Sequence, residues 1–156
     1  MSEALIRAQI KVELEKVSGI GVVHDYERYA RSITDFRNLM TKTGTTTVNG
    51  WVIHRESTSA EQVIMGPKGQ IERVHIYRIA GVYALDDAAG SEKTFQGILD
   101  AIFSQFKSNG TLNGTAISHK QIQIDSVTVT KESEFGDDIY HTAELTLEVM
   151  ERTAIS

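Results

Sequence analysis

The sequence predicts a two-layer α+β fold in which an N-terminal helix and a central amphipathic helix pack on a mixed, mostly antiparallel β-sheet. Two patterns support this: an apolar stripe at helical spacing within residues 91–110, and alternating apolar and polar residues in 71–84 and 139–149. The stripe has six members, Phe95, Ile98, Leu99, Ile102, Phe103 and Phe106. A stripe this wide predicts burial against the strands. The length of 156 residues suits a single domain, 1–156.

The first part of the chain reads as two helices separated by a short strand. Ser2 is a suitable N-cap for the first helix, which ends before Gly19. Its predicted apolar side consists of Leu5, Ile6, Ile10, Leu14 and Val17. A short strand over 20–24 follows, and Ser32 with Asp35 resembles the capping box of a second, short helix.

Residues 41–50 (TKTGTTTVNG) have no helical pattern and predict a loop or a β-extension. From position 48 onward the chain alternates as a strand does. The GPKG sequence at 66–69 predicts a tight turn that joins residues 62–65 to a long strand at 71–84.

The chain after the central helix is predicted to be β-structure. Residues 109–115 read as a turn, and a bulge near Asp125–Ser126 reconciles two apolar rows of opposite parity. EFGDD (134–138) predicts a hairpin loop before the final strand. That strand is expected to point five residues inward: Ile139, Ala143, Leu145, Leu147 and Val149.

Composition places the chain among ordinary soluble globular proteins, with 40% hydrophobic and 24% charged residues. No apolar run is long enough to predict a membrane-spanning helix, and the N-terminal residues lack the apolar core of a secretory leader. With no cysteine, the sequence excludes disulfides and thiolate metal sites and fits a protein made in a reducing cytoplasm.

Charge is unevenly distributed along the chain. Residues 125–151 contain eight acids and one base, whereas 1–124 are close to neutral. This acidity argues against nucleic acid as the main ligand, because phosphate binding relies on clustered Lys and Arg. Two interpretations stay open for the acidic segment: a solvated outer face of the sheet, or a docking face for a basic partner.

A modest basic group, Arg28, Arg31 and Arg37, is interleaved with aromatic residues. Such interleaving is found in single-stranded nucleic-acid readers. Nearby acids at positions 25, 27 and 35 nearly cancel the charge, which favours a solvated surface or a protein-contact segment.

No pattern in the sequence predicts an enzyme. A G-x-S-x-G elbow, a Walker A loop and a G-x-G-x-x-G motif are all absent. The five histidines never recur at i+3 or i+4, although His54 and His75 could meet across adjacent strands. Asp86 and Asp87 more simply supply negative charge near the start of the central helix. We therefore predict no catalytic, metal or cofactor-binding residues.

The order of elements resembles that of a known family. An N-terminal helix runs into VSGIGVVHDYERY, and a Thr/Gly-rich loop and a central strand follow. AGVYALDDAAGSEKTFQGILDAIFSQFKSNGTLNG and an acidic β-hairpin complete the chain. This arrangement is similar to the tail terminator, or tail-to-head joining, proteins of long-tailed bacteriophages, a group with no known catalytic residues.

The resemblance implies a homo-oligomeric ring, expected to be a hexamer, seated on the last ring of tail-tube subunits. Such a ring ends tube polymerisation and joins the tail to the neck or head. The resemblance thus implies a virion protein assembled in the host bacterial cytoplasm, without cofactor or membrane. DNA would pass through the ring lumen without sequence-specific contacts.

Two sets of residues are candidates for contacts in this arrangement. Between subunits we expect one basic set to meet one acidic set: Arg28, Arg31 and Arg37 against Glu132, Glu134, Asp137 and Asp138. Contacts to the tube or neck are expected from two loops: Thr45, Thr46 and Thr47, and Pro67 and Lys68. The alternatives are a neck or head-completion protein, a monomeric ligand- or peptide-binding module, and a hydrolase that uses a histidine pair.

Overall fold

The chain combines α-helices with a curled, mostly antiparallel β-sheet in a computed structural model that describes residues 2–131 and 139–154. The elements are α1 (Glu3–Glu15), β1 (Val22–His24), α2 (Ile33–Leu39), β2 (Asn49–Ile64), β3 (Gln70–Ala84), α3 (Ser91–Lys107), β4 (Ser118–His119), β5 (Gln123–Lys131) and β6 (Ile139–Ala154). The prediction of mixed helices and a mostly antiparallel sheet is confirmed at this level. No helix in the described part of the chain is long and apolar enough to cross a membrane.

The sheet is organised around β3. Its strand order is β1-β2-β3-β6-β4, and β5 pairs with the same edge of β6 further along. β3 pairs antiparallel with β2 on one side and with β6 on the other, over nearly its whole length. The β1–β2 pair is parallel. Within the described residues, β1 and β5 each have a single neighbouring strand, so they lie at opposite edges of the sheet.

One cluster of buried side chains joins α1, α3 and one face of the sheet. We call this face of the sheet the core face. Five of the six members of the α3 stripe are buried, and Phe103 is half-buried. Two side chains that were predicted to lie inward are exposed instead, Leu5 on α1 and Ile139 at the start of β6. Helical spacing placed Leu5 at the border of the apolar side, where α1 faces solvent.

A buried carboxylate connects α1 to α3. Only 1% of Glu13 is exposed, and its carboxylate accepts hydrogen bonds from Gln105 Nε2 at 2.6 Å and Asn109 Nδ2 at 3.0 Å. Gln9 Nε2 at 3.0 Å and Lys16 Nζ at 3.1 Å donate from α1 itself and its C-cap. Burial by itself would raise the pKa of Glu13, but these four donors outweigh it and hold the pKa below its usual value.

α2 belongs to a smaller cluster on the other face of the sheet, with Phe36, Met40, Val48 and Tyr140 buried together. The predicted cap of this helix is confirmed, since the Asp35 amide donates to Ser32 Oγ at 3.1 Å. His24, the last residue of β1, has its Nε2 2.8 Å from the Leu39 carbonyl oxygen, which fixes the end of α2 against the sheet edge.

β2 is longer than the sequence indicates. It runs without interruption from Asn49 through Ile64, so residues 55–61 are strand as well, and its register with β3 shifts at Glu56 and Val63. The GPKG turn then leads into β3, with Gly66 at a φ of 96° and the Gly69 amide bonded to its carbonyl oxygen. The bulge predicted near Asp125–Ser126 is confirmed by a register shift between Ile124 and Ser126.

Residues 41–50 form a loop closed by an isolated bridge between Thr41 and Val48, and β2 begins at Asn49. The predicted EFGDD hairpin loop lies outside the described residues.

Trp51 lies flat on the backbone of the neighbouring strand. A Cβ atom built on Gly81 would lie 2.3 Å from Trp51 Cζ3, closer than any atom can approach. The indole Nε1 donates to Asn49 Oδ1 at 2.9 Å, and Phe95 of α3 stacks on the indole with ring centroids 5.8 Å apart. The absence of a side chain at position 81 therefore lets the largest core side chain lie against the sheet.

Candidate functional site

The segment between β1 and α2 places two of the three candidate arginines on an exposed surface. Arg28 stacks over the Tyr26 ring at 5.1 Å from its centroid, and its Nη1 lies 3.4 Å from His24 Nδ1. Because His24 Nε2 donates to the Leu39 carbonyl, Nδ1 is the nitrogen that can accept from Arg28. The guanidinium is thereby oriented without being neutralised.

Arg28 and Arg31 line the same shallow hollow of about 420 Å³, together with Tyr29, Asp35, Asn38 and Leu39. Tyr29 is 84% exposed, and its hydroxyl donates to Glu27 Oε2 at 2.8 Å, a bond that raises the pKa of Tyr29. Glu27 is thus engaged by the tyrosine. Within the described residues, neither arginine forms a salt bridge with a carboxylate.

Arg37 lies elsewhere. It lines a separate cavity of about 530 Å³ with Thr41, Thr46, Val48, Ala84, Leu85, Ile139 and Tyr140. The sequence grouped three arginines, whereas the structure brings Arg28 and Arg31 together and places Arg37 on another hollow. Arg37 belongs to α2 and lines one cavity, whereas Asp35, Asn38 and Leu39 of the same helix line the hollow of Arg28 and Arg31.

The acidic half of the predicted interface, Glu132, Glu134, Asp137 and Asp138, lies outside the described residues. The four other acids of 125–151 each have a basic partner within the chain. Arg78 Nη1 lies 3.4 Å from Asp125 and 3.5 Å from Glu144, and Lys120 Nζ lies 3.3 Å from Glu148. Arg73 Nη1 lies 3.2 Å from Glu151. A count of charges along the sequence could not show this pairing, because the partners come from distant strands.

The two predicted contact loops lie at opposite ends of the sheet. Thr45, Thr46 and Thr47 are exposed and precede β2, whereas Pro67 and Lys68 are exposed in the turn that follows it. The β3 strand of 15 residues separates these ends by about 45 Å. Contacts made by the two loops would therefore engage different partners or different parts of one large partner.

A buried polar cluster escaped the sequence-based prediction. Of its residues, His75 and Glu151 lie on the core face and are almost completely inaccessible. His75 Nε2 is 3.1 Å from Glu151 Oε1, and His75 Nδ1 is 2.9 Å from Thr58 Oγ1. Glu151 Oε2 has no hydrogen-bond partner among the described atoms. The sequence did contain a signal for this cluster. His75 and Glu151 occupy the same alternating positions in β3 and β6 as the inward-facing apolar residues, which predicts that they point into the core.

The suggested meeting of His54 and His75 is wrong. His54 pairs with Arg78, whereas His75 pairs with Thr58, and the register shift at Glu56 lies between them. The two histidines are thus separated along the hairpin. No group of three or more potential metal ligands occurs in the portion of the chain that the structure describes.

A serine and a histidine do meet, but in the core. Ser91 Oγ lies 2.8 Å from His141 Nε2, and both residues are buried beneath Phe95, whose ring stacks on the imidazole. Ser91 Oγ also accepts from the Asp86 amide at 2.9 Å, which fixes the turn before α3. Among the described residues no carboxylate contacts His141. A nucleophile needs access to substrate and an oriented base, so this pair acts as a packing contact.

Comparison with known proteins adds no relative: no protein-family model matches this chain, and no curated protein matches it.

Proposed function

We propose that this protein is a structural assembly protein that forms a homo-oligomeric ring, a hexamer, on the end of a bacteriophage tail tube. In this role it ends tube polymerisation and joins the tail to the neck or head of the virion, after assembly in the host bacterial cytoplasm. Each protomer would be the two-layer domain in which α1 and α3 cover one face of the sheet. The function requires no catalysis and no cofactor.

One observation carries the proposal: Arg28 and Arg31 are exposed, held near one another, and not neutralised by a described carboxylate. Most other charged groups with defined contacts are paired within the chain, including Arg7, Arg73, Arg78 and Arg152. Two exposed cations that no described carboxylate neutralises support a role in binding an acidic surface.

The acidic surface can come from a second copy of the same chain. The seven residues 132–138 contain four acids and no base. In the sequence they follow β5, which lies at one edge of the sheet, whereas Arg28 follows β1 at the other edge. A contact between unlike surfaces on opposite edges is heterologous, and heterologous contacts generate rings when the rotation closes.

Charge reversal tests this contact. The double variant Arg28→Glu/Arg31→Glu should weaken association about tenfold at low ionic strength, because attraction to residues 132–138 becomes repulsion. The loss should shrink as salt shortens the Debye length from about 30 Å at 0.01 M to about 8 Å at 0.15 M. Native mass spectrometry and sedimentation velocity at several salt concentrations measure the oligomer.

Lys93→Glu/Lys107→Glu is the matched control. Both lysines are exposed on α3, and their reversal changes the net charge by the same amount. This control should retain the oligomer. Combining Arg28→Glu/Arg31→Glu with Glu132→Lys/Glu134→Lys should restore association. Equal oligomer mass for wild type and the arginine variant would count against the contact.

A second experiment addresses the particle. Co-purification with a tail-tube protein, and rings visible by negative-stain microscopy, are the expected results. Binding to a neck protein without the tube would favour a neck or head-completion role instead. A protein that remains monomeric at all concentrations would overturn the ring and favour a ligand- or peptide-binding module.

A further inference from the structure

The outer half of β2 and the turn after it form an exposed edge of the sheet, which we call the arm. Every β2 side chain from Arg55 to Ile64 is exposed, and β1 pairs with β2 only at Gly50–Val52. The arm ends in three exposed apolar residues, Val63, Ile64 and Met65, which we call the arm tip. Met65 is 77% exposed. An apolar tip at the exposed end of a sheet is costly to leave in water unless it has a partner.

A second apolar surface lies on the opposite edge of the sheet. It consists of Ile124, Val127, Val129 and Ile139, and we call it the β5 stripe. Three of its members pair across the strands with Leu145, Ala143 and His141, which are buried on the core face. Cross-strand partners point to the same face of a sheet, so the stripe lies on the core face. It extends the apolar surface of that face to the β5 edge, where its side chains are exposed. Val129 is 56% exposed.

The arm tip cannot reach the β5 stripe of its own chain. Ile64 pairs with Gln70 of β3. Ile124 pairs with Leu145 of β6, and Leu145 pairs with Ile79 of β3, so Ile124 lies at the level of Ile79. Nine residues of β3 separate these levels, about 30 Å, and two further strands lie between them. Any contact between the two surfaces must therefore join different copies, head to tail.

Charge supports the same pairing. The single charge in residues 63–69 is Lys68, and the residues that connect Val129 to Ile139 include four acids and one base. In the sequence, the apolar tip is therefore followed by a positive charge, and the stripe residues Val129 and Ile139 flank four acids. The tip alone is small against the roughly 800 Å² per partner of a stable interface. The Arg28–Arg31 surface follows β1, which pairs with β2 at Gly50–Val52, about 40 Å along β2 from Ile64 on the same side of the sheet, so the tip contact would add to an interface that extends along this side.

We propose that the arm tip of each copy packs on the β5 stripe of the next copy around the ring. This inference rests on the proposed function for the existence of a ring, and it adds the apolar contact that closes each junction.

The absence of cysteine in this chain permits a direct test. The double variant Met65→Cys/Val129→Cys places one thiol on the tip and one on the stripe, both at exposed positions where folding should be retained. A short bismaleimide should convert it into a ladder of covalent oligomers that stops at the ring order. Each single variant should stay monomeric on a denaturing gel. A mixture of the two single variants should give covalent dimers and nothing larger.

Met65→Cys/Glu15→Cys is the control, because Glu15 is exposed on α1, away from the stripe. It should give no ladder. Covalent dimers from a single variant would indicate a symmetric contact and overturn the proposal. Rings seen by native mass spectrometry without any ladder would overturn the tip contact while leaving the ring intact. An absence of oligomers at every concentration would overturn both.

Substitution offers a second measurement. Met65→Glu and Val129→Glu each remove an apolar contact and bring a negative charge to the junction, so each should weaken association at least about tenfold. Unlike the arginine variant, Val129→Glu should retain most of its effect at high salt, because apolar burial is not screened. Unchanged association in both variants would contradict the contact.

Discussion

Glu13 provides the sharpest test of how the helices are held together. Its carboxylate accepts four hydrogen bonds, two of them from α3 and the residue just beyond it, and only 1% of the residue is exposed. Glu13→Gln preserves the shape but replaces one oxygen by an NH₂ group that cannot accept. It also converts charge-assisted bonds, each worth about 1.5–3 kcal/mol, to neutral ones worth about 0.5–1.5 kcal/mol.

We therefore expect Glu13→Gln to lower the free energy of unfolding by about 2 kcal/mol. The cost is not larger because the donors near the helix ends can form hydrogen bonds with water instead. For a chain of 156 residues this corresponds to a fall of about 4–8 °C in Tm. Thermal and urea unfolding at one fixed protein concentration measure it, since association would shift the apparent stability. Glu15→Gln, two residues along the same helix and exposed, should cost less than about 0.5 kcal/mol.

The dependence on pH is fixed by the direction of the pKa shift. The folded-state pKa of Glu13 is below its ordinary value of 4.5, so the folded protein binds this proton less readily than the unfolded chain. The stabilisation is present above pH 4.5 and is lost as the pH falls through the folded pKa. The gap between wild type and Glu13→Gln should therefore be constant near neutrality and narrow in acid. A gap that persists unchanged or widens at pH 3 would refute the reasoning.

Two further predictions concern the core. In a double-mutant cycle, His75→Leu and Glu151→Leu should each cost about 2–3 kcal/mol by urea unfolding, because each leaves a buried polar partner behind. The double variant should cost clearly less than their sum, and strict additivity would show that the two side chains are not coupled. Gly81→Ala should cost about 2–3 kcal/mol because its Cβ displaces the Trp51 ring. Gly97→Ala, with open space in the middle of α3, should instead stabilise by about 0.5–1 kcal/mol, and equal effects at the two glycines would contradict this account.

The sequence predicted the elements whose periodicity is set by burial on one face. The α3 stripe, the caps at Ser2 and Ser32 and the bulge at Asp125 were all identified from local patterns. Residues 55–61 of β2 were not predicted as strand, because their polar residues do not alternate with apolar ones. They are strand through their backbone pairing with β3, which a local pattern does not record.

The candidate site was less predictable than the fold. Charge counts could not show that Arg78 and Lys120 contact three acids of the 125–151 segment, since these contacts depend on strand register. Strand register also explains why the suggested pairing of His75 with His54 was wrong, because the partner of His75 is Glu151 of β6. The loops and the Arg28–Arg31 pair were proposed from exposure and charge, which local sequence does report. The contacts of residues 132–138 with another copy stay a prediction.

The position of β3 between a near and a distant partner sets an order of events in folding. β2 is joined to β3 by the short GPKG turn, whereas Gln70 pairs with Ala154 on the other side, across most of the second half of the chain. Pairing of β2 with β3 closes a short loop, whereas pairing of β3 with β6 closes a long one. Because the entropy cost of closing a loop grows with its length, β2–β3 pairing should come first. Among the described residues, β5 joins the sheet only through β6, so we expect the arm to form before the surface that would receive it. In the proposed contact, a chain that has not finished folding could therefore place its arm on a folded neighbour before it has a stripe to bind another arm. Pulse-labelled hydrogen exchange should show the β2 amides protected before those of β5.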